Sequence, residues 1–395
     1  MYPRIRFWSH LIICFGDRTI LGKNTEIILK CEKSIVSHWS ILKIKTETGF
    51  AEIKTVQLMQ IDNRFKIKLI DQRKLPFHLE YFKTDAIGDA IEAISNMTVR
   101  GAPAIGATGL YAMILGAQDL DTIDMSSLKE LKAKIVKARP TAKDLESFID
   151  LLFTKIKDEP LNMNTLVKHA NAIVHDSEQE CFEIGQQSKH LITEGMGVLT
   201  HCNAGALATV DWGTALAPMR LAKQDGVHFK VYVDETRPRL QGMLTAWELE
   251  QEGIEHHIIV DNAAGFFMQQ GRIELVITGT DRVLKDGTVT NKIGTYEKAV
   301  VAQSLGIPVY IAMPWSTYDP NTVSAQDIPI EYRDDEEISY VRTASGPEAV
   351  SPNNPHVLNP AFDITPHEYI TGYITRDGIL SRDQLQEYYE KRYMK

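Results

Sequence analysis

GVLTHCNAG (197–205) is the stretch on which the fold turns. A short apolar run without polar alternation reads as a strand buried on both faces, the kind from which parallel sheets are made. Polar residues and a glycine then follow at once. The same grammar recurs downstream: strands are expected at Gly197–Thr200, Phe229–Val233, His257–Val260, Leu275–Thr278 and Val309–Met313. Segments of helical character separate them, around Thr214–Gln224, Leu240–Glu252 and Gly294–Leu305. Strands alternating with crossover helices give an α/β domain whose parallel sheet is covered on both faces. In such sheets ligands bind beyond the carboxyl ends of the strands.

That rule singles out four polar clusters: His201-Cys202-Asn203-Ala204-Gly205, Asp234-Glu235-Thr236-Arg237-Pro238, Asp261-Asn262-Ala263-Ala264-Gly265 and Gly279-Thr280-Asp281-Arg282. All four are expected on one rim. A lone Asp261 reads as a helix cap; four clusters in succession exceed what capping requires. Cys202 is either a small buried apolar residue or a thiol beside reacting carbons, with Gly205 letting backbone approach a ligand. Asp281 is either the ion-pair partner of Arg282 or a nearby Lys, or a carboxylate whose desolvation raises its pKa into the range of proton transfer.

Working toward the amino terminus, residues 84 to about 195 read as mainly helical, with Ile87, Ile91 and Ile94, then Leu128, Leu131 and Ile135, at helical spacing. Arg100-Gly101-Ala102-Pro103 interrupts this pattern and opens a further helix, with Pro103 tolerated in the first turn. A guanidinium beside a flexible loop at a helix start is an anion site. Arg139 before Pro140-Thr141 and Asn291-Lys292 before Gly294 have the same look. Phe65-Lys66-Ile67-Lys68-Leu69 alternates as a half-buried strand does, after the turn pair Asp62-Asn63 and before Leu75-Pro76. Three segments are expected: an appended or mis-started stretch at 1–58 with Met59 near the true beginning, an N-terminal domain at 59–195 and a catalytic domain at 196–395.

The chain of 395 residues, with 44% apolar and 24% charged side chains, suits two ordinary domains. A net charge of -9 argues against a nucleic-acid partner. Cysteines at 14, 31, 181 and 202 have no metal-ligand spacing and fit a reducing, cytoplasmic setting. The apolar run Leu11-Ile12-Ile13-Cys14-Phe15 is too short for a membrane span and lacks the context of a signal peptide. Glycine-rich nucleotide loops, H-E-x-x-H and C-x-x-C are all missing, so no nucleotide cofactor or metal is implied. Asn96-Met97-Thr98 matches a glycosylation triplet, which carries no meaning in a cytoplasmic protein.

The runs RGAPAIGATG (100–109), ARPTAKDL (138–145), LTHCNAGALAT (199–209), VDETRPRLQG (233–242), TAWEL (245–249), DNAAG (261–265), DRVLKDGTVTNKIGTY (281–296), IPIEYR (328–333) and NPAFDITP (359–366) resemble the methylthioribose-1-phosphate isomerases. The resemblance covers most of the chain from about Ile67 to Gly378. It implies a small, mainly helical N-terminal domain with a short antiparallel sheet, then a Rossmann-like parallel-sheet domain, a homodimer and no cofactor. It also implies that Cys202 is the catalytic thiol and Asp281 the acid–base residue. Arg100, Gly101, Ala102, Arg139, Gln241, Asn291 and Lys292 would hold the substrate, a small sugar 1-phosphate. Departures are Ile184-Gly185-Gln186-Gln187, where a His-Gly pair is frequent, Trp315, where a smaller side chain is usual, and residues 1–58, which have no counterpart. Trp315 is expected near the group on carbon 5.

The implied reaction is an aldose–ketose isomerisation of 5-methylthioribose 1-phosphate in methionine salvage. The hydrogen moves from carbon 2 to carbon 1 either as a proton through Cys202 or as a hydride. Alternatives are the isomerisation of 5-deoxyribose 1-phosphate, alone or as a second activity, and of ribose 1,5-bisphosphate, for which no extra basic cluster is visible. The regulatory subunits of the translation initiation factor 2 exchange factor share the fold and offer a non-catalytic reading, sugar-phosphate binding without turnover.

Overall fold

Val198 and Leu199 point to opposite faces of one strand, and both are fully buried in separate cores. That alternation organises the larger half of the molecule. The computed structural model describes residues 42–393 apart from 47–48, 140–141, 323 and 353–355. The Leu11–Phe15 run and most of the expected 1–58 segment lie outside the described residues.

The N-terminal part opens with two antiparallel pieces: a hairpin of β1 (Leu42–Thr46) and β2 (Gly49–Ile53), and a three-stranded sheet of β3 (Val56–Ile61), β4 (Arg64–Ile70) and β5 (Tyr81–Thr84). The expected boundary after residue 58 falls inside β3. Along β4, Ile67 and Leu69 face the core and Lys66 and Lys68 face outward, as strand pleating requires. Five helices follow: α1 (Ile87–Ser95), α2 (Ala102–Ala117), α3 (Met125–Val136), α4 (Lys143–Ile156) and α5 (Met163–Ser188). Asp124 and Asn162 cap α3 and α5 by accepting the N–H groups of Ser127 and Thr165. Helix α2 is buried on every side from Pro103 to Ala117. Its glycines explain how: a Cβ at Gly106 would stand 2.9 Å from the Asp144 carbonyl oxygen, and one at Gly109 would run into Leu145. The two helices therefore pack backbone to backbone.

The parallel strands are β6 (Gly197–Thr200), β7 (Lys230–Asp234), β8 (His256–Ile259), β9 (Leu275–Thr278), β12 (Val309–Ala312) and β17 (Gly372–Thr375). Between β9 and β12 lie β10 (Arg282–Leu284) and β11 (Val289–Lys292); β13 (Tyr318–Asp319), β14 (Tyr340–Thr343), β15 (Gly346–Ala349) and β16 (Phe362–Thr365) precede β17, and β18 (Gly378–Leu380) follows it. The main sheet runs β18-β17-β12-β9-β6-β7-β8, all parallel except β18. The chain thus moves outward from β6 to β8, returns to β9 and proceeds the other way. The order reverses between β6 and β9, the place where a doubly wound sheet opens a crevice.

Right-handed crossovers dictate which helices cover which face. Helices α6 (Ala206–Thr209), α7 (Ala217–Gln224) and α8 (Gln241–Gln251) connect β6 to β7 to β8. Residues of α5, α7 and α8 pack with Val198, Val231, Val233, Leu275 and Ile277. Helices α9 (Ala264–Gln269) and α10 (Thr295–Ser304) pack on the opposite face with Leu199, Tyr232 and Val276. Each such fully buried aliphatic side chain contributes about 1.5–3 kcal/mol. Strand β10 pairs with β11 and β13, and β11 with β16, in a second, four-stranded sheet. Short helix α11 (Glu336–Ser339) leads into the β14–β15 hairpin, and α12 (Arg382–Tyr393) follows the last strand. Among the described residues no helix is long and apolar enough to cross a membrane.

Candidate active site

A cavity of about 720 Å³ opens at the reversal between β6 and β9, between the sheet and the N-terminal helices. Arg100, Gly101, Ala102, Arg139, Cys202, Gln241, Asp281, Asn291 and Lys292 all line it. Gly101 makes this meeting of halves possible. Its φ is +92°, and a Cβ there would sit 2.1 Å from the backbone oxygen of Ala208 in α6.

Only two of the four polar clusters reach the cavity. His201, Cys202, Asn203 and Ala204 do, as do Gly279, Thr280, Asp281 and Arg282. These follow the two strands that flank the reversal. The cluster after β8 stands two strands away, and its Asp261 instead accepts the N–H groups of Thr236 and Arg237, both at 2.7 Å. Asp261 is therefore a cap, but of the neighbouring loop. Gly205 does not meet a ligand: its Cα faces the Glu248 carboxylate, 2.3 Å from where a Cβ would stand.

Cys202 adopts φ +63°, a left-handed conformation that a non-glycine residue holds only under constraint. The constraint is visible. Its N–H donates to Thr236 Oγ1 at 2.9 Å, and its carbonyl accepts from the Thr245 hydroxyl at 2.8 Å. His201, one residue earlier, is fixed between Asp234 Oδ2 at 2.9 Å and the Ile293 carbonyl at 2.8 Å. Burial pushes the Cys202 thiol above its ordinary value; Lys292 pulls down and Asp281 pushes up. A protonated thiol is thereby favoured near neutrality.

Asp281 hangs from the first residues of the second sheet, its N–H donating to the Thr290 carbonyl at 3.1 Å. Burial raises its carboxyl pKa, against the pull of Lys292, Arg333 and Arg139. Arg282 is not its partner: that guanidinium reaches Asp319 at 3.1 Å. Asn291 and Lys292 belong to strand β11 rather than to a helix start, with Gly294 as the cap of α10. Lys292 Nζ donates to the Ala361 carbonyl at 3.0 Å and lies 4.4 Å from the centre of the Phe362 ring. Burial lowers its pKa while Cys202 raises it.

The cationic wall is larger than the sequence reading foresaw. Arg239 and Arg333 also line the cavity, so the expectation of no extra basic cluster is corrected. Both are compensated, with Arg239 Nη1 3.1 Å from Glu337 and Arg333 Nε 3.3 Å from Glu331. Arg100 Nε and Arg139 Nη1 are buried with no hydrogen-bond partner among the described residues, as is Arg333 Nε beside its ion pair, while Arg100 Nη2 donates to the Gln72 carbonyl at 3.4 Å. Burial and neighbouring arginines pull the Arg100 guanidinium down to about 9, despite Cys202. Gln241 Oε1 and Asp144 Oδ2 are buried acceptors in the same state. The cavity therefore presents unpaired donors and unpaired acceptors together, which fits a ligand with an anionic group and hydroxyls.

Trp315 corrects another expectation. Its neighbours Pro314, Ser316 and Thr317 line the cavity, whereas its indole packs on Tyr318 and Tyr389 and donates to Asp377 at 2.7 Å. His201, Asp234 and Asp261 place ligand-type atoms within 4.8 Å of one another, as a metal site would. His201 Nδ1 and Asp234 Oδ2 are hydrogen-bonded to each other and both Asp261 oxygens accept backbone N–H groups, so these contacts brace the loops before Cys202 and after β7.

Comparison with known proteins gives the cavity a context. The model described as the Initiation factor 2 subunit family matches residues 98–382. The methylthioribose-1-phosphate isomerase of Thermotoga petrophila is 42% identical over 319 residues, 80% of this chain and 92% of that protein. The crystal structure of 5-methylthioribose 1-phosphate isomerase from Pyrococcus horikoshii OT3 superposes with a TM-score of 0.78 at 36% identity, covering 86% of this chain and 96% of that one. The structure of translation initiation factor eIF-2B, subunit delta, from A. fulgidus gives 0.73 at 37% identity, covering 84% and 97%.

Proposed function

We propose that this chain, which belongs to the initiation factor 2 subunit family, is an aldose–ketose isomerase of methionine salvage that converts 5-methylthioribose 1-phosphate into 5-methylthioribulose 1-phosphate. The observation that carries the reading is the meeting of Cys202 and Asp281, both desolvated, with the buried, partly unpaired guanidiniums of Arg100 and Arg139 in one cavity. The Rossmann-like part, residues 196–395, would be the catalytic domain, and 59–195 the N-terminal domain that supplies the arginines.

Arg100, Arg139 and Lys292 bind the phosphate, assisted by backbone at Gly101-Ala102, while Gln241 and Asn291 orient the sugar. The phosphate on carbon 1 prevents ring opening by loss of a hydroxyl proton. Asp281, whose pKa burial raises, instead donates a proton to the ring oxygen as the bond from carbon 1 to that oxygen breaks. The bond from carbon 2 to its hydrogen then breaks as carbon 1 gains a hydrogen, and the carbon 2 hydroxyl returns a proton to the Asp281 carboxylate to leave the ketone. No external oxidant or reductant is needed, because carbon 2 is oxidised as carbon 1 is reduced. Two routes satisfy this balance. In the first, Cys202 as a thiolate takes the carbon 2 proton while the electron pair of that bond neutralises carbon 1 as an enol, and the thiol then returns the proton to carbon 1. In the second, the hydrogen shifts directly as a hydride to the carbon 1 cation. Solvent deuterium appearing at carbon 1 marks the first, and its exclusion the second.

A 5-deoxyribose 1-phosphate differs only by the methylthio group, and a small apolar increment is worth about 1–3 kcal/mol of discrimination. Activity on both sugars is therefore expected, and rates with the two side by side test it. The non-catalytic reading draws on the A. fulgidus subunit, but binding alone has no use for a thiol and a carboxylic acid beside the same carbons. We place the enzyme in the cytoplasm, on its free Cys181 and Cys202. A homodimer is supported by edge strand β8 and the helix after it, which expose Ile258, Val260 and Phe266. Light scattering of the protein and of Val260→Glu tests the pairing: a dimer that the substitution splits is expected, and a monomeric parent refutes it.

A further inference from the structure

Asp144 opens α4 at the cavity and has no task in the reaction just described. Its side chain is 1% exposed and lines the cavity together with Asp281. Its position is rigid: Gly106 lets α2 press against the Asp144 carbonyl, and Leu145 and Phe148 anchor the same turn in the core. Lys143, the adjacent cation, is turned to Asp319 at 2.7 Å. Asp144 Oδ2 is left buried with no hydrogen-bond partner among the described residues. Burial lifts the carboxyl to about 6; Ser316 pulls it down, Asp281 pushes it up and Lys143 pulls it down.

A dry acceptor that cannot swing to water is unfavourable until a ligand supplies a donor. The phosphate supplies acceptors only. In the closed ring of a 5-substituted ribose 1-phosphate the free hydroxyls are those on carbons 2 and 3. The carbon 2 hydroxyl becomes the ketone and gives up its proton. The carbon 3 hydroxyl keeps its proton from substrate to product. We propose that Asp144 is a specificity-determining residue that accepts a hydrogen bond from the carbon 3 hydroxyl of the sugar through Oδ2, an inference that rests on the isomerase reading. It selects a sugar whose carbon 3 oxygen is free and carries hydrogen, and disfavours one that is deoxygenated or esterified there.

The test is a cycle between enzyme and substrate: wild type, Asp144→Ala and Asp144→Asn, each with 5-methylthioribose 1-phosphate and its 3-deoxy analogue. Asp144→Ala is expected to lower kcat/KM for the parent sugar about 10- to 100-fold, the range of a charge-assisted hydrogen bond. Wild type is expected to lose as much with the 3-deoxy sugar, and the variant to lose nothing more. Asp144→Asn keeps an acceptor and is expected to fall less than Asp144→Ala; should the alanine variant not fold, the asparagine variant's loss must likewise vanish with the 3-deoxy sugar. Losses that simply multiply overturn the assignment while the isomerase reading stands. Wild type without turnover of the parent sugar overturns the isomerase reading instead, and the same cycle on equilibrium binding of the two sugars then decides Asp144.

Discussion

Two clusters of buried charge share the turn at Asn203, and they differ in one respect. Beneath the turn, Glu248 accepts from Ala206 N–H at 2.7 Å, Asn203 Nδ2 at 2.8 Å and Arg220 Nη2 at 2.8 Å, and Arg220 also bonds Glu252 at 2.8 Å. Above it, Arg100, Arg139 and Asp144 hold buried polar atoms without partners. Burial acts on both clusters. Below, burial pushes Arg220 down but Glu252 and Glu248 outweigh it and raise it; above, burial and like charges bring Arg100 down to about 9. Paired charge is scaffold, and unpaired charge awaits a ligand.

Substitutions can break that contrast. Asp281→Asn should cost the most activity, about 10²- to 10⁴-fold in kcat as general acid–base groups do, with no fall in Tm. The sign follows from linkage: a carboxyl raised by burial binds its proton more tightly in the folded state, so ionisation penalises folding at high pH, and the penalty fades as pH falls. The amide carries no such penalty. Glu248→Ala should do the reverse, losing about 1–3 kcal/mol of stability because it strands the buried Ala206 N–H, takes a partner from the Asn203 amide and leaves Arg220 with Glu252 alone. Urea unfolding of the two variants side by side measures this, and equal stability would erase the distinction.

Arg139→Ala sharpens the same contrast at intermediate size. Losing one charge-assisted bond to phosphate is worth about 1.5–3 kcal/mol, expected as a raised KM with the melting curve unmoved; a destabilised variant would show Arg139 to be scaffold after all. The smallest effect concerns Cys202. A thiol raised by burial should alkylate slowly at neutral pH and keep accelerating above pH 9, the ordinary thiol value. Mass spectrometry of iodoacetamide-treated protein reads this peptide directly, and rapid labelling at pH 7 would contradict the protonated form.

The sheet was legible because its strands are continuous apolar runs: the expected Gly197–Thr200 and Leu275–Thr278 agree with β6 and β9 to the residue, and β7, β8 and β12 agree within one. Strand β17 escaped notice. It is four residues long and lies about sixty residues beyond its partner β12, so no alternation of strand and helix announces it. The hairpin carrying Asn291 and Lys292 was hidden by its polarity, since a strand reading TNK takes its burial from β16 and not from its own composition. Arg239, Arg333 and Asp144 look like solvated charges in the chain; only packing between distant elements dries them. Gln241 came from the family resemblance alone, with no local pattern to mark it.

The central claim is that this cavity turns over a sugar phosphate rather than merely holding one. Phosphorus and carbon NMR of the full-length protein with 5-methylthioribose 1-phosphate tests it most directly, with Cys202→Ser and Asp281→Asn beside it. The account predicts a ketone signal growing at carbon 2 with the phosphate ester intact, and its near loss in both variants. A sugar phosphate that binds and remains an aldose, or variants that keep full turnover, would contradict it.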